Sequence, residues 1–173
     1  MVYKIRNIIY DDIFKIKKIR NEQMDVLRQN NILTDNDQEK WYNELIKPSY
    51  ISKTKVLNFT ILYNEKFIGY GGLVNIEYDN KKGEVSFLVE KERTLNNNIY
   101  ENDFTFFLNF ISEYASNQLK LHKIWTETYE FRKFHISILE KNMFKVEGVL
   151  KESIYLNSKF INSILHGLIL ENN

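Results

Sequence analysis

Cysteine is absent from this chain of 173 residues. That excludes disulfides, thiolate metal sites and a cysteine nucleophile together. Proline occurs once, at Pro48, and glycine six times, so no linker composition divides the chain. No low-complexity tract or internal repeat is present either. No apolar run approaches the roughly 18–20 residues of a membrane helix. The first residues, Met1-Val2-Tyr3-Lys4-Ile5-Arg6, lack the apolar stretch of a secretory signal. Net charge is small as well, +1, with lysines and acids interleaved. This pattern argues against a nucleic-acid-binding face, and mildly against a strongly acidic macromolecular target. The three histidines are scattered without metal-ligand spacing, so no metal is expected. The expectation is one cytoplasmic domain over residues 1–173, with no nucleic-acid or membrane partner.

What the chain does hold is large apolar side chains: twelve Phe, eleven Tyr and two Trp within 43% hydrophobic residues. That is enough for a substantial core. Residues 2–9 read as a strand, and Asp11-Asp12 opens a helix with Ile13, Ile16 and Ile19 on one side. A second helix begins near Thr34-Asp35, where Asp35 and Gln38 resemble a capping box, and its pattern ends at Pro48. Strands at 56–63 and 66–76 flank an Asn64-Glu65 turn, and Gly69, Gly71 and Gly72 in the second suggest a bulge or a close backbone approach. A strand at 84–89 alternates Val85, Phe87 and Val89 against Glu84, Ser86 and Leu88. After a polar loop, residues 100–118 carry an apolar stripe through Phe104, Phe107, Leu108 and Ile111, read as core. A strand at 123–129, a short helix at 133–142 and a hairpin turning at Asn157-Ser158 complete the chain. The order β-α-α-β-β-β-α-β-α-β-β requires parallel and antiparallel pairing. It predicts an α/β (α+β) fold with a mixed sheet of about seven strands and helices on both faces.

Several segments resemble the GNAT N-acetyltransferase family in order and spacing. They are Gln118-Leu119-Lys120-Leu121-His122-Lys123-Ile124 between the main helix and fifth strand, the run Leu139-Glu140-Lys141-Asn142-Met143-Phe144-Lys145-Val146-Glu147-Gly148, and Ile68-Gly69. Arg20-Asn21 and Thr34…Trp41 resemble the front of the ribosomal-protein and amino-sugar acetyltransferase branch. The chain departs from the family in four places. The loop Arg93-Thr94-Leu95-Asn96-Asn97-Asn98-Ile99-Tyr100 has no glycine, Arg132 stands for the usual Asn, Leu139 for the usual Tyr acid, and Met143 for Gly.

The resemblance implies acetyl-CoA as cosubstrate. It implies that the backbone of Phe87, Leu88 and Val89 meets the pantetheine. An Asn-built nest of Asn96, Asn97 and Asn98, with Arg132, would hold the phosphates. Acetyl transfer needs a base for the amine, a donor for the oxyanion and an acid for the thiolate. Glu84 is the first candidate for the base, against an exposed carboxylate after a turn. Glu127 in mid-strand is a second, against a structural ion pair, and the two carboxylates working together is a third arrangement. His135 is a candidate acid, against a helix-surface histidine. Arg132 reads equally as an ion-pair partner of Glu130. Arg20, Asn21, Arg28 and Trp41 lie where related proteins bind the acceptor, against a solvated helix face. The preferred acceptor is a small-molecule primary amine on an amino sugar or sugar nucleotide, then a protein N-terminus. The alternative is a non-catalytic acyl-CoA-binding or interaction module on the same scaffold. The broad final hairpin is compatible with a homodimer.

Overall fold

The structure, a computed structural model, describes residues 2–171. A seven-stranded sheet forms the middle, in the order β1-β2-β3-β4-β5-β7-β6. Its members are β1 (Tyr3–Asn7), β2 (Leu57–Tyr63), β3 (Lys66–Glu77), β4 (Lys82–Val89), β5 (Lys123–Tyr129), β6 (Lys145–Leu156) and β7 (Lys159–Ile169). The hairpin turns follow from residues that tolerate positive φ. Asn64 and Glu65 join β2 to β3 at φ 48° and 62°, and Asn157 and Ser158 join β6 to β7 at 51° and 62°. Gly69 lies beside a register shift at Ile61/Leu62. A Cβ at Gly69 would stand 2.3 Å from the Leu88 carbonyl oxygen, so the close backbone approach expected of these glycines is present.

Helices cover both faces. On one lies α1 (Asp12–Asn21), followed by a 3₁₀ turn at Met24–Val26 and by α2 (Asp35–Trp41). Thr34, rather than Asp35, caps α2. Its hydroxyl accepts from the Asp37 N–H at 3.2 Å, and the Asp37 carboxylate accepts from the Thr34 N–H at 2.8 Å. The chain does not stop at Pro48. A π-helical turn (Tyr42–Ile46) leads into α3 (Lys47–Ser49), which takes the proline in its first turn, where no backbone N–H is needed. On the other face lie α4 (Lys91–Thr94), α5 (Asn97–Asn117) and α6 (Lys133–Lys141). α4 occupies part of what the sequence reads as loop, and α5 starts three residues earlier than its apolar stripe because Asn96 accepts from the Ile99 N–H at 3.2 Å.

Two apolar clusters result. Phe104, Phe107, Leu108 and Ile111 of α5 pack with Val85 and Val89 on one face, while Ile13, Ile16 and Ile19 of α1 pack with Tyr70 and Leu88 on the other. The alternation of β4 therefore sends its residues to the faces the sequence predicts. Among the described residues no helix is long and apolar enough to cross a membrane.

Candidate active site

β4 and β5 are the only parallel neighbours among the described strands, and they pair for three positions only: Lys82 with Lys123, Gly83 with Ile124, and Glu84 with Trp125. Beyond Glu84, β4 stays with β3 as far as Val89, and β5 stays with β7 as far as Tyr129. The sheet therefore forks at Glu84. The Glu90 N–H bonds to the Ile68 carbonyl, so alternation turns the backbone groups of Val85, Phe87 and Val89 toward the gap. Leu88, expected with them, instead turns its backbone to Tyr70 on β3. The Val89 carbonyl is already taken. It accepts from Gln23 Nε2 at 2.8 Å, and Gln23 is 5% exposed.

A cavity of about 230 Å³ fills the fork. Glu84, only 5% exposed, accepts from Arg28 Nη2 and Asn75 Nδ2, both at 2.7 Å. Glu127 accepts from Ser163 Oγ at 2.6 Å and lies 3.5 Å from the same Arg28 nitrogen. The structure thus brings together Glu84, Glu127 and Arg28, with a guanidinium relieving the repulsion between two carboxylates. Arg20 also lines this cavity, donating to the Tyr70 hydroxyl at 2.8 Å and to Gln29 at 2.9 Å.

Two other acceptor-side expectations fall outside it. Asn21 donates to the Leu33 carbonyl and accepts from the Leu33 N–H and Gln29, so its amide is consumed in shaping the loop before α2. Trp41 sets its ring edge-on against Tyr70, with centroids 6.2 Å apart. Trp41 thus backs Tyr70, which lines the cavity.

A second cavity of about 290 Å³ adjoins the first, with Val26, Arg132 and His135 common to both. His135 is not a surface residue. It is 7% exposed and stacks on Phe104 with centroids 4.3 Å apart and planes 17° apart. Burial, then the Arg132 charge, then His166 hold its pKa well below the ordinary 6.5. Its Nδ1 lies 2.8 Å from the Tyr100 hydroxyl. Burial raises the Tyr100 pKa, against the opposing pull of Arg132. Arg132 donates to the same hydroxyl at 3.0 Å rather than pairing with Glu130, whose carboxylate accepts from Asn162.

The Asn nest is not formed. None of Asn96, Asn97 and Asn98 has positive φ; Asn96 is extended, at φ −113°, and caps α5. The exposed first turn of α5 still leaves the N–H groups of Asn97 and Asn98 without a protein partner, and Asn97 and Lys133 line the second cavity. Arg93 of the same loop faces inward. It makes two hydrogen bonds, 2.6 and 2.7 Å, to the fully buried Asp103, which also accepts from the Tyr3 hydroxyl.

Sequence reasoning missed Gln23, Asn75, Tyr100 and Ser163. Only Tyr100 left a signal: it opens the stripe Tyr100–Phe104–Phe107, and a hydroxyl buried on that face needs a partner. His166 is fully buried opposite Thr126 and does not line either cavity.

The family model described as "Acetyltransferase (GNAT) domain" matches residues 5–165. No curated protein sequence matches the chain. Among solved structures, the spermidine N-acetyltransferase of Vibrio cholerae in complex with CoA and spermine superposes with a TM-score of 0.83. It is 18% identical, over 98% of this chain and 96% of that one. The dodecameric structure of the Vibrio cholerae enzyme in an intermediate state gives a TM-score of 0.81 at 17% identity, over 97% and 94%. A forked mixed sheet, helices on both faces and a family match over nearly the whole length lead to one conclusion: the chain belongs to the GNAT acetyltransferase family.

Proposed function

We propose that this protein transfers an acetyl group from acetyl-CoA directly to the primary amine of a small molecule, with Glu84 as the base. The observation that carries this reading is the position of Glu84: buried, at the point where β4 and β5 part, and on the wall of the cavity between them. The cosubstrate supplies an activated acetyl carbon as a thioester. The open backbone edge of Phe87 and the Val89 N–H suit its amides, and the N–H groups of Asn97 and Asn98 suit its phosphates. Glu84 takes a proton from the amine, directly or through water, and the nitrogen lone pair attacks the acetyl carbon. Arg28, half exposed, is well suited to exchange its ion pair with Glu84 when an ammonium group arrives.

The acceptor we favour is an amino sugar or sugar nucleotide. Spermine, bound by the Vibrio cholerae neighbour, is a polycation. Here the fork cavity is lined by three arginines, Arg20, Arg28 and Arg132, against two carboxylates, Glu84 and Glu127, which gives no net attraction for a polycation. A homodimer fits the exposed apolar side chains of the edge strand β6, Val146, Val149, Leu150 and Tyr155.

A thiol-release assay over amino sugars, sugar nucleotides, polyamines and peptides tests the reading. Turnover with an anionic amino-sugar nucleotide above that with spermidine is expected; the reverse order overturns the acceptor class. Calorimetric binding of acetyl-CoA without turnover on any amine would instead support the non-catalytic module.

A further inference from the structure

Three groups that the sequence holds apart meet where the two cavities join: Tyr100 on α5, Arg132 at the start of α6, and His135 one turn on. Their hydrogen-bond chemistry favours one arrangement. A guanidinium can only donate, so the Tyr100 oxygen accepts from Arg132 Nη2 at 3.0 Å. The tyrosine proton then has one remaining partner, His135 Nδ1, at 2.8 Å. The same Arg132 nitrogen lies 3.4 Å from Nδ1 and also points a donor at it. Donors on that side favour a bare Nδ1 and a ring proton on Nε2. All of the hydrogen bonds made by this ring are at Nδ1, and the ring forms part of both cavity walls.

We propose that Tyr100 and Arg132 lock His135 into the Nε2–H tautomer, and that His135 presents this proton to the sulfur leaving during acetyl transfer. Tyr100 and Arg132 are positioning residues; His135 is the catalytic donor. The proposal rests on the acetyl-transfer reading above. It places the two ends of the reaction on opposite faces of the sheet. Glu84 shares the α1 side with Arg28, whereas His135 stacks on Phe104 of α5. As the carbon–sulfur bond breaks, its electron pair goes to sulfur. The Nε2–H hydrogen-bonds to the thiolate as charge builds on it, while Tyr100, keeping its proton on the Nδ1 side, and Arg132 hold the ring; the proton lost by the amine stays on Glu84. Protons and charge balance without any further reactant. The chain thus supplies from α5 and α6 together what the tyrosine expected at position 139 would supply alone.

Two measurements test this. The first needs no ligand: nitrogen NMR of the free protein, with His135 assigned through His135→Gln. A protonated Nε2 and bare Nδ1 are expected, with the tautomers mixing in Tyr100→Phe. A proton on Nδ1 in the wild type overturns the lock. The second follows the thiolate absorbance of bound CoA against pH. In the wild type the bound thiol should titrate at least one pH unit below that in His135→Asn, whose shorter amide can meet Tyr100 but offers nothing at the Nε2 position. His135→Gln, which reaches that position, should recover part of the difference. Equal titration in wild type and His135→Asn overturns the donor role and leaves the acetyl-transfer reading standing. Failure of the wild type to bind CoA overturns the acetyl-transfer reading and the donor role with it, while the tautomer is still decided by the first measurement. In turnover, kcat should fall about 100-fold in His135→Asn, and CoA affinity should change less than about threefold.

Discussion

The two sides of the fork hold their charges differently. On the α5 and α6 side, the buried Asp103 is held by the partly buried Arg93 and Tyr3, and Arg132, Tyr100 and His135 form another cluster in which the tyrosine and histidine are buried. On the α1 side, the carboxylates of Glu84 and Glu127 are joined by Arg28, whose side chain is 49% exposed. Buried polar groups with every partner in place are costly to disturb, and so hold one geometry. An ion pair whose cation is half exposed is worth less and exchanges more readily. The molecule therefore fixes the α5 and α6 side and leaves the α1 side free to trade partners.

Breaking the fixed side should have the largest effect. Asp103→Ala leaves Arg93, whose side chain is 17% exposed, without its carboxylate. It should cost about 3–5 kcal/mol of stability in urea unfolding, and loosen the segment that carries Asn96, Asn97 and Asn98. A loss below about 1 kcal/mol would show that this cluster is no firmer than Arg28 and its partners.

Next comes the chemistry of the open side. Glu84→Gln keeps the shape but removes the carboxylate proposed as base, and should lower kcat at least 100-fold with folding intact. Glu127→Gln, held by Ser163 at one oxygen, should lower it less. The opposite ranking would move the base to Glu127.

A smaller effect follows from pH. His135 is held neutral by burial, with Arg132 and His166 adding to it and Tyr100 facing its Nδ1. Its folded pKa is depressed, so the unfolded chain binds the proton more readily below the ordinary 6.5. Stability due to His135 is present above that pH and is lost as pH falls, by at most about 1.4 kcal/mol per unit. Thermal unfolding from pH 7.5 to 5 should show a shallower slope in His135→Gln than in the wild type. Identical slopes would show that the ring takes up a proton without cost.

The smallest change in stability belongs to Arg28. Arg28→Ala leaves Glu84 with the Asn75 amide at the wall of an open cavity and should cost about 1 kcal/mol, while raising KM for the acceptor more than KM for acetyl-CoA. A stability loss as large as that of Asp103→Ala would erase the distinction between the two sides.

Much of this was legible from local signals. Asn64-Glu65 and Asn157-Ser158 announce their turns because both need positive φ, and the alternation in residues 84–89 predicts which helix each β4 side chain meets. The errors were local as well. Thr34 and Asp35 are both good caps, and only the backbone decides that Thr34 takes the role. Residues 91–94 carry too few apolar side chains to register as a helix, yet form α4. An asparagine run suggests left-handed backbone, but one cap at Asn96 lets the other two enter α5.

Periodicity and turn residues act over a few positions, so the residue pattern alone dictates the element order, and with it a mixed sheet clothed on both sides. It also supplied Glu84, Glu127, Arg28 and His135 as candidates. Which of them meet was decided only in three dimensions. Glu84 and Glu127 lie 43 residues apart and are joined by a guanidinium from the loop after α1, and His135 Nδ1 meets the hydroxyl of a tyrosine 35 residues earlier. Such pairings depend on where strands part and helices cross, and no short window of sequence contains that information.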